Sequence, residues 1–284
     1  MTQKPWLRLS VWRCDMAKSE SQDQVTIQSA VLRERHGPIE IVTINRPAAS
    51  NAFNVDVLQG ITVALDEFET DETLQVLILT ATGERAFSAG MDFVAFLAGA
   101  PESDFVNDKG IAGLTRRECP KPIIAAVNGA ALGGGFELAL GCDLIVASDN
   151  AVFGIPELKV GHLADGGALL WLPQRLPYHV AMELALTGDP MNARRAKELG
   201  LVNEVVSSKR LLPAAMELAQ RICANAPESL RQSKRILSQF VRVTEDAWRV
   251  NAAGRAAVMA SPDSVEGARA FLEKREPRWV GFGN

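Results

Sequence analysis

Residues 128–137 read Asn-Gly-Ala-Ala-Leu-Gly-Gly-Gly-Phe-Glu and follow an unbroken apolar run, Pro122-Ile-Ile-Ala-Ala-Val127. The run predicts a buried strand, and Phe136-Glu-Leu-Ala-Leu140 predicts a helix. Three consecutive glycines between them let backbone pass close to a ligand with its N–H groups exposed. The start of a helix adds the positive end of its dipole, so this turn suits a developing negative charge. Glu137 puts a carboxylate in the first helical turn, beside the anion site. Oxyanion donors next to an acid/base group point to chemistry on a carbonyl compound.

A second turn of the same kind lies upstream. Val76-Leu-Ile-Leu-Thr80 predicts a strand, and Ala86-Phe-Ser-Ala-Gly-Met-Asp92 follows a polar turn. Gly90 again permits close approach, and the Met91 N–H supplies a second donor. Loss of one oxyanion donor costs roughly 2.7–4 kcal/mol of transition-state stabilisation in other enzymes.

Phe87-Ser-Ala-Gly-Met-Asp92 and 128–139, with Cys142-Asp143 just after, resemble the crotonase (enoyl-CoA hydratase/isomerase) superfamily. So do Asn45-Arg-Pro47 with Asn51-Ala-Phe-Asn54, and Phe153-Gly-Ile-Pro-Glu157. The resemblance runs from about residue 25 to 279. It rests on five blocks in the right order, each weak alone. It implies an α/β fold, a crotonase-like spiral of repeated ββα units with a C-terminal helical trimerisation region. It also implies an acyl-CoA substrate, with coenzyme A as part of that substrate, no separate cofactor and no metal. The expected assembly is a homotrimer or a hexamer made as a dimer of trimers.

The resemblance assigns site residues. Glu137 and Glu157 flank the substrate's Cα–Cβ bond, one orienting and deprotonating water at Cβ while the other protonates Cα. The N–H groups of Met91 and Gly134 hold the thioester oxygen as it takes on enolate character. Arg46 and Ala48 match the loop that meets the adenine end of CoA. Ala89, Asp92 and Gly133 fall in the matched substrate-binding blocks. Phe271 and Lys274 match C-terminal positions that reach a nucleotide from a neighbouring subunit. On residue chemistry alone, Glu137 reads equally as a helix-dipole partner, Glu157 as a surface charge, and Phe271 with Lys274 as an ordinary helix end.

One loop departs from the simple hydratase pattern. Gly161-His-Leu-Ala-Asp-Gly-Gly167 lacks a proline and places Asp165 near the bond being rearranged. Carnitinyl-CoA dehydratases have an aspartate in this loop, and so do dienoyl-CoA isomerases, which have Asp where this chain has Glu137. Asp165 reads either as a ligand for a polar acyl substituent or as a cap on the glycine turn. The expected activity is reversible hydration of a 2-enoyl-CoA, with double-bond isomerisation as the alternative. A non-catalytic acyl-CoA- or RNA-binding protein of the same fold is the alternative from another class.

The rest of the chain constrains less. A net charge of −4 over 284 residues gives no electrostatic case for nucleic acid or an anionic membrane. No apolar run reaches a membrane span. The triple glycine is neither a P-loop nor a GxGxxG fingerprint. Three histidines and four cysteines lack metal-ligand or CxxC spacing; the thiols read as reduced and the setting as cytoplasmic. His162 reads as packed or solvated, and Cys142 as a small buried residue. Residues 1–22, with basic residues interleaved among apolar ones, read as a transit-like segment or a non-essential tail; we take them as a tail.

Three parts follow: tail 1–22, catalytic core 23–210 and helical region 211–284. Alternation over 25–33 and 39–44 about His36-Gly37-Pro38 predicts a hairpin. Helical spacing predicts helices over 55–69, 212–224, 228–243 and 245–259. Ser261-Pro262 predicts an N-cap and N1 proline for a last helix. No internal repeat is visible in the residues.

Overall fold

The computed structural model describes residues 29–98 and 106–280. The tail 1–22 and the first residues of the expected hairpin lie outside them. The hairpin is β1 (Val31–His36) against β2 (Ile39–Ile44), so its first strand runs three residues further than the alternation suggested. The shift has a plain cause. Five of the six β1 residues are exposed on a sheet edge, where no buried face dictates the ends.

Helix α1 (Val55–Thr70) follows, capped by Asn54, whose side chain accepts from the Val57 N–H. It buries Val57, Leu58, Ile61, Leu65 and Phe68, the stripe its spacing predicts. Then come β3 (Val76–Ala81), β4 (Ala86–Ser88) and α2 (Phe93–Leu97). A short hairpin, β5 (Val106–Asn107) and β6 (Gly110–Ile111), leads to β7 (Ile123–Val127), β8 (Ala130–Leu132) and α3 (Gly134–Gly141). After β9 (Leu144–Ser148) and β10 (Val152–Gly154), a 3₁₀ turn, Pro156–Val160, precedes α4 (Ala168–Arg175) and α5 (Tyr178–Thr187). Strand β11 (Met191–Asn192), α6 (Ala193–Glu198) and β12 (Glu204–Val206) complete the sheets. Four helices end the chain: α7 (Leu211–Cys223), α8 (Pro227–Phe240), α9 (Glu245–Ala260) and α10 (Pro262–Leu272).

The strands form a six-stranded sheet, β1-β2-β3-β7-β9-β12, and a four-stranded sheet, β11-β10-β8-β4. Each of the successive pairs β3/β4, β7/β8 and β9/β10 puts its first strand in the large sheet and its second in the small one. This is the spiral repeat that the residues did not show. It is a repeat of topology and leaves side-chain identity free.

All residues of β3 and β7 are buried, as expected for parallel strands covered on both faces. Leu77, Leu79, Ile123 and Ala125 face the main core with α1 and the small sheet. Val76, Ile78, Ile124 and Ala126 face the other way, against Leu211, Ala215 and Ala219 of α7. Helix α7 therefore closes the large sheet, although the sequence reading grouped it with the appended region. Helices α8 and α9 bury little: α8 has no buried residue and α9 only Asn251.

Candidate active site

Three neighbouring parallel strands of the small sheet, β4, β8 and β10, end at one place. Loops leaving the carboxyl ends of parallel strands are where α/β sheets bind ligands. Here β4 leads to Gly90–Met91, β8 to Gly133–Gly134 and α3, and β10 to the 3₁₀ turn carrying Glu157. The strands that directly precede the two glycine turns are thus β4 and β8, not the longer apolar β3 and β7. A hydrogen bond from the Gly133 N–H to the Gly154 carbonyl, 3.0 Å, ties the second loop to the third.

The turns approach closely because they lack side chains. A Cβ on Gly90, whose φ is +85°, would lie 3.0 Å from the Gly134 nitrogen. A Cβ on Gly135 would meet the Ser88 carbonyl oxygen at 2.3 Å. Phe53 donates to the Gly90 carbonyl (2.7 Å) and accepts from the Asp92 N–H (3.2 Å). Alternation along extended backbone then turns the Met91 N–H away from Phe53. The Gly134 N–H opens a helix, where the first amides have no intrahelical acceptor. Neither N–H has a hydrogen-bond partner among the described residues, and both residues line the same pocket.

Glu137 and Glu157 line that pocket too. Glu137 is 2 % exposed, and its Oε1 accepts from the Ala168 N–H at 3.0 Å. The Glu157 Oε2 is buried and has no hydrogen-bond partner among the described residues. Burial pushes the Glu137 carboxyl well above the usual range, and the charges of Glu157 and Asp165 push the same way. Burial also raises Glu157, to about 8, and Asp165 adds to that rise. Two carboxyls so placed titrate as a unit and retain a proton near neutrality.

Asp165 stands in the same pocket and is held from α9. Arg255 Nε lies 2.5 Å from Asp165 Oδ2, and Asn251 Nδ2 donates to the Asp165 main-chain carbonyl at 2.7 Å. Burial pushes Asp165 up to about 6, while the guanidinium favours its charged form. His162 is packed: its ring meets Phe93 and Phe96 edge-on, and Nε2 is 3.1 Å from the Ser264 carbonyl oxygen. Cys142 is buried and its thiol is pushed up by burial, as suits an inert residue.

Of the other sequence-assigned residues, Ala89 and Gly133 line the pocket. Arg46, Ala48, Asp92, Phe271 and Lys274 lie outside its lining. Arg46 pairs with Asp92 at 3.2 Å and donates to the Ala52 carbonyl at 2.7 Å. Asp92 also caps α2 by accepting from the Val94 N–H. Ala48 is exposed in the turn Pro47–Ala49. Phe271 stacks edge-on to Phe93 of its own chain, with ring centroids 5.4 Å apart, and Lys274 is exposed just beyond α10.

The sequence reading missed the wall that α9 supplies: Arg255, Val258 and Met259. Helical spacing showed that α9 exists. What it covers depends on a contact about ninety residues away in the chain. Among the described residues there is no cluster of side chains able to hold a metal, and no helix long and apolar enough to cross a membrane.

The chain is similar to proteins with this architecture along almost its whole length. Residues 34–281 match the family model described as enoyl-CoA hydratase/isomerase. A carnitinyl-CoA dehydratase of Citrobacter koseri is 42 % identical over 254 residues, 87 % of this chain and 97 % of that protein. The crystal structure of a carnitinyl-CoA hydratase from Mycobacterium avium superposes with a TM-score of 0.84 at 39 % identity, over 89 % of this chain and 99 % of that one. An enoyl-CoA hydratase from Mycobacterium tuberculosis H37Rv is 47 % identical with a TM-score of 0.72, over 89 % of this chain and 100 % of that one. With two amide donors that have no partner among the described residues, the buried Glu137 and the half-buried Glu157 at three adjacent strand ends, this chain belongs to the enoyl-CoA hydratase/isomerase family.

Proposed function

We propose that the protein catalyses the reversible addition of water across the 2,3 double bond of an acyl-CoA thioester. The observation that carries this reading is the convergence of Glu137 and Glu157 beside the Met91 and Gly134 N–H groups. In the hydration direction one glutamate takes a proton from water as its oxygen bonds to Cβ. The π electrons move toward the thioester, whose oxygen gains negative charge between the two N–H groups. The partner glutamate then delivers a proton to Cα. Dehydration runs the same steps backwards. Raised carboxyl affinities for protons suit this exchange, because one group must be acid while its partner is base.

Asp165 extends the reading to the acyl group. It adjoins both glutamates, and a carboxylate there discriminates strongly for an acyl substituent that hydrogen-bonds to it. Similarity to proteins named as carnitinyl-CoA dehydratases supports a polar substituent. Isomerisation, the alternative, is favoured by no single feature of the site. Loss of crotonyl-CoA absorbance on mixing with the protein tests the reading. No loss, with a 3,5-dienoyl-CoA rearranged instead, refutes it.

The same reading includes assembly built on trimers. Ile236, Leu237 and Phe240 of α8 and Val250 of α9 are exposed, Phe240 to 86 %. Ile236, Leu237 and Phe240 share one face of α8, and exposed apolar clusters of this kind mark interaction sites. A monomer by light scattering at micromolar concentration would overturn this part.

A further inference from the structure

We infer that Arg255 and Asn251 of α9 are positioning residues for Asp165, so that α9 is a wall of the acyl site. The inference rests on the acyl-CoA reading above. Two contacts carry it: the 2.5 Å Arg255–Asp165 pair and the 2.7 Å bond from Asn251 to the Asp165 carbonyl. One fixes the side chain and the other fixes the loop. Both donors lie on one face of α9, four residues apart, one helical turn. Val258 and Met259 from the same helix line the pocket beside them.

A purely structural role explains this arrangement poorly. The side chains of Arg255 and Asp165 are 19 % and 24 % exposed, next to a pocket whose other walls include Ile111 and Leu163. A buried ion pair is usually no more stabilising than well-packed apolar residues of the same volume. Here it places a charged group where the acyl chain must lie, and that is useful only if the charge is read by the substrate. Among the described residues, the charged and titratable groups around Asp165 come from three elements: Glu137 of α3, Glu157 and His162 of the 3₁₀ turn and its exit, and Arg255 of α9. Among the described residues Arg255 is the cation seated directly on Asp165. Its loss would leave three acidic side chains facing one another and Asp165 free to turn.

The test compares crotonyl-CoA with 4-hydroxycrotonyl-CoA, which adds one hydroxyl beyond Cβ. The wild-type protein, R255M, R255K, N251A and the charge-free double variant D165N/R255M are assayed for kcat and KM separately. The expected result is a wild-type preference in kcat/KM for the hydroxylated substrate. R255M and N251A should reduce that preference about 10- to 100-fold, the range of one hydrogen bond to a charged group, and R255K should restore part of it. The acid limb of the R255M pH profile should move to higher pH, because Asp165 loses its cation. If R255M does not fold, the double variant serves, since it buries no lone charge; it too should show the lost preference. An equal fall on both substrates with an unmoved pH profile overturns the inference, as does a wild type without preference. Turnover of neither thioester by the wild type overturns the hydratase reading itself, and this inference with it.

Discussion

The α-carbon of Gly133 faces the carboxyl group of Glu157: a methyl at Gly133 would lie 2.7 Å from Glu157 Oε1. Gly133 also holds φ +55° and ψ −130°, a conformation costly for any other residue. The glycine thus opens the turn that presents the Gly134 N–H and leaves room for Glu157. Gly133→Ala should lower kcat at least tenfold by displacing Glu157, and stability by about 1–3 kcal/mol from backbone strain. Steady-state kinetics beside a urea titration separates the two effects. Normal turnover would show that Glu157 need not occupy this position.

Glu137→Gln and Glu157→Gln should each reduce hydratase kcat by about 10²–10⁴-fold, the usual contribution of a general acid or base. Thioester affinity should stay within a few-fold, because the amides of Met91 and Gly134 remain. Kinetics with crotonyl-CoA and calorimetric binding of acetyl-CoA check both statements.

Stability should depend on pH through Glu157. Its folded value is about 8 against an ordinary 4.5. Below the ordinary value, both folded and unfolded chains carry the proton. Between the two values only the folded chain does, so stability falls as pH rises across that window. Urea midpoints should therefore drop from about pH 5 to about pH 8, and Glu157→Gln should flatten that slope. A slope unchanged in the variant would contradict a protonated Glu157.

Asn51 should prove structural. It is 1 % exposed and at φ +54°; its Nδ2 donates to the carbonyls of Thr82 (3.0 Å) and Ala86 (2.7 Å), and its Oδ1 accepts from the Arg46 N–H (2.9 Å). Asn51→Ala would strand these groups and should cost about 1–3 kcal/mol or more. The Ser50 carbonyl beside it accepts from the Ala89 N–H, so the loop that carries Gly90 and Met91 should loosen as well. Hydrogen exchange at Ala89 reports that loosening.

Helix α10 should matter to catalysis through its packing. A methyl on Gly267 would lie 2.1 Å from the Val160 carbonyl oxygen, in the turn that carries Glu157. Gly267→Ala should force these elements apart, lower the melting temperature and reduce kcat together. Unchanged kinetics with only a lower melting temperature would separate α10 from the site.

The local parts of this protein were legible in its residues. Helix α1 has its predicted stripe because a 3.6-residue period reports which face is buried. Ser261 caps α10 and Pro262 opens it because those preferences are set within a few bonds. The triple glycine and Glu137 stand together because they are neighbours in sequence. Joining Glu137 to Glu157, or Met91 to Gly134, required the order of strands β4, β8 and β10, which the family resemblance supplied and spacing did not. The α9 wall was legible by neither route. Arg255 meets Asp165 only because the chain folds back over its own pocket, and a helix's own periodicity does not say which distant surface its polar residues will touch.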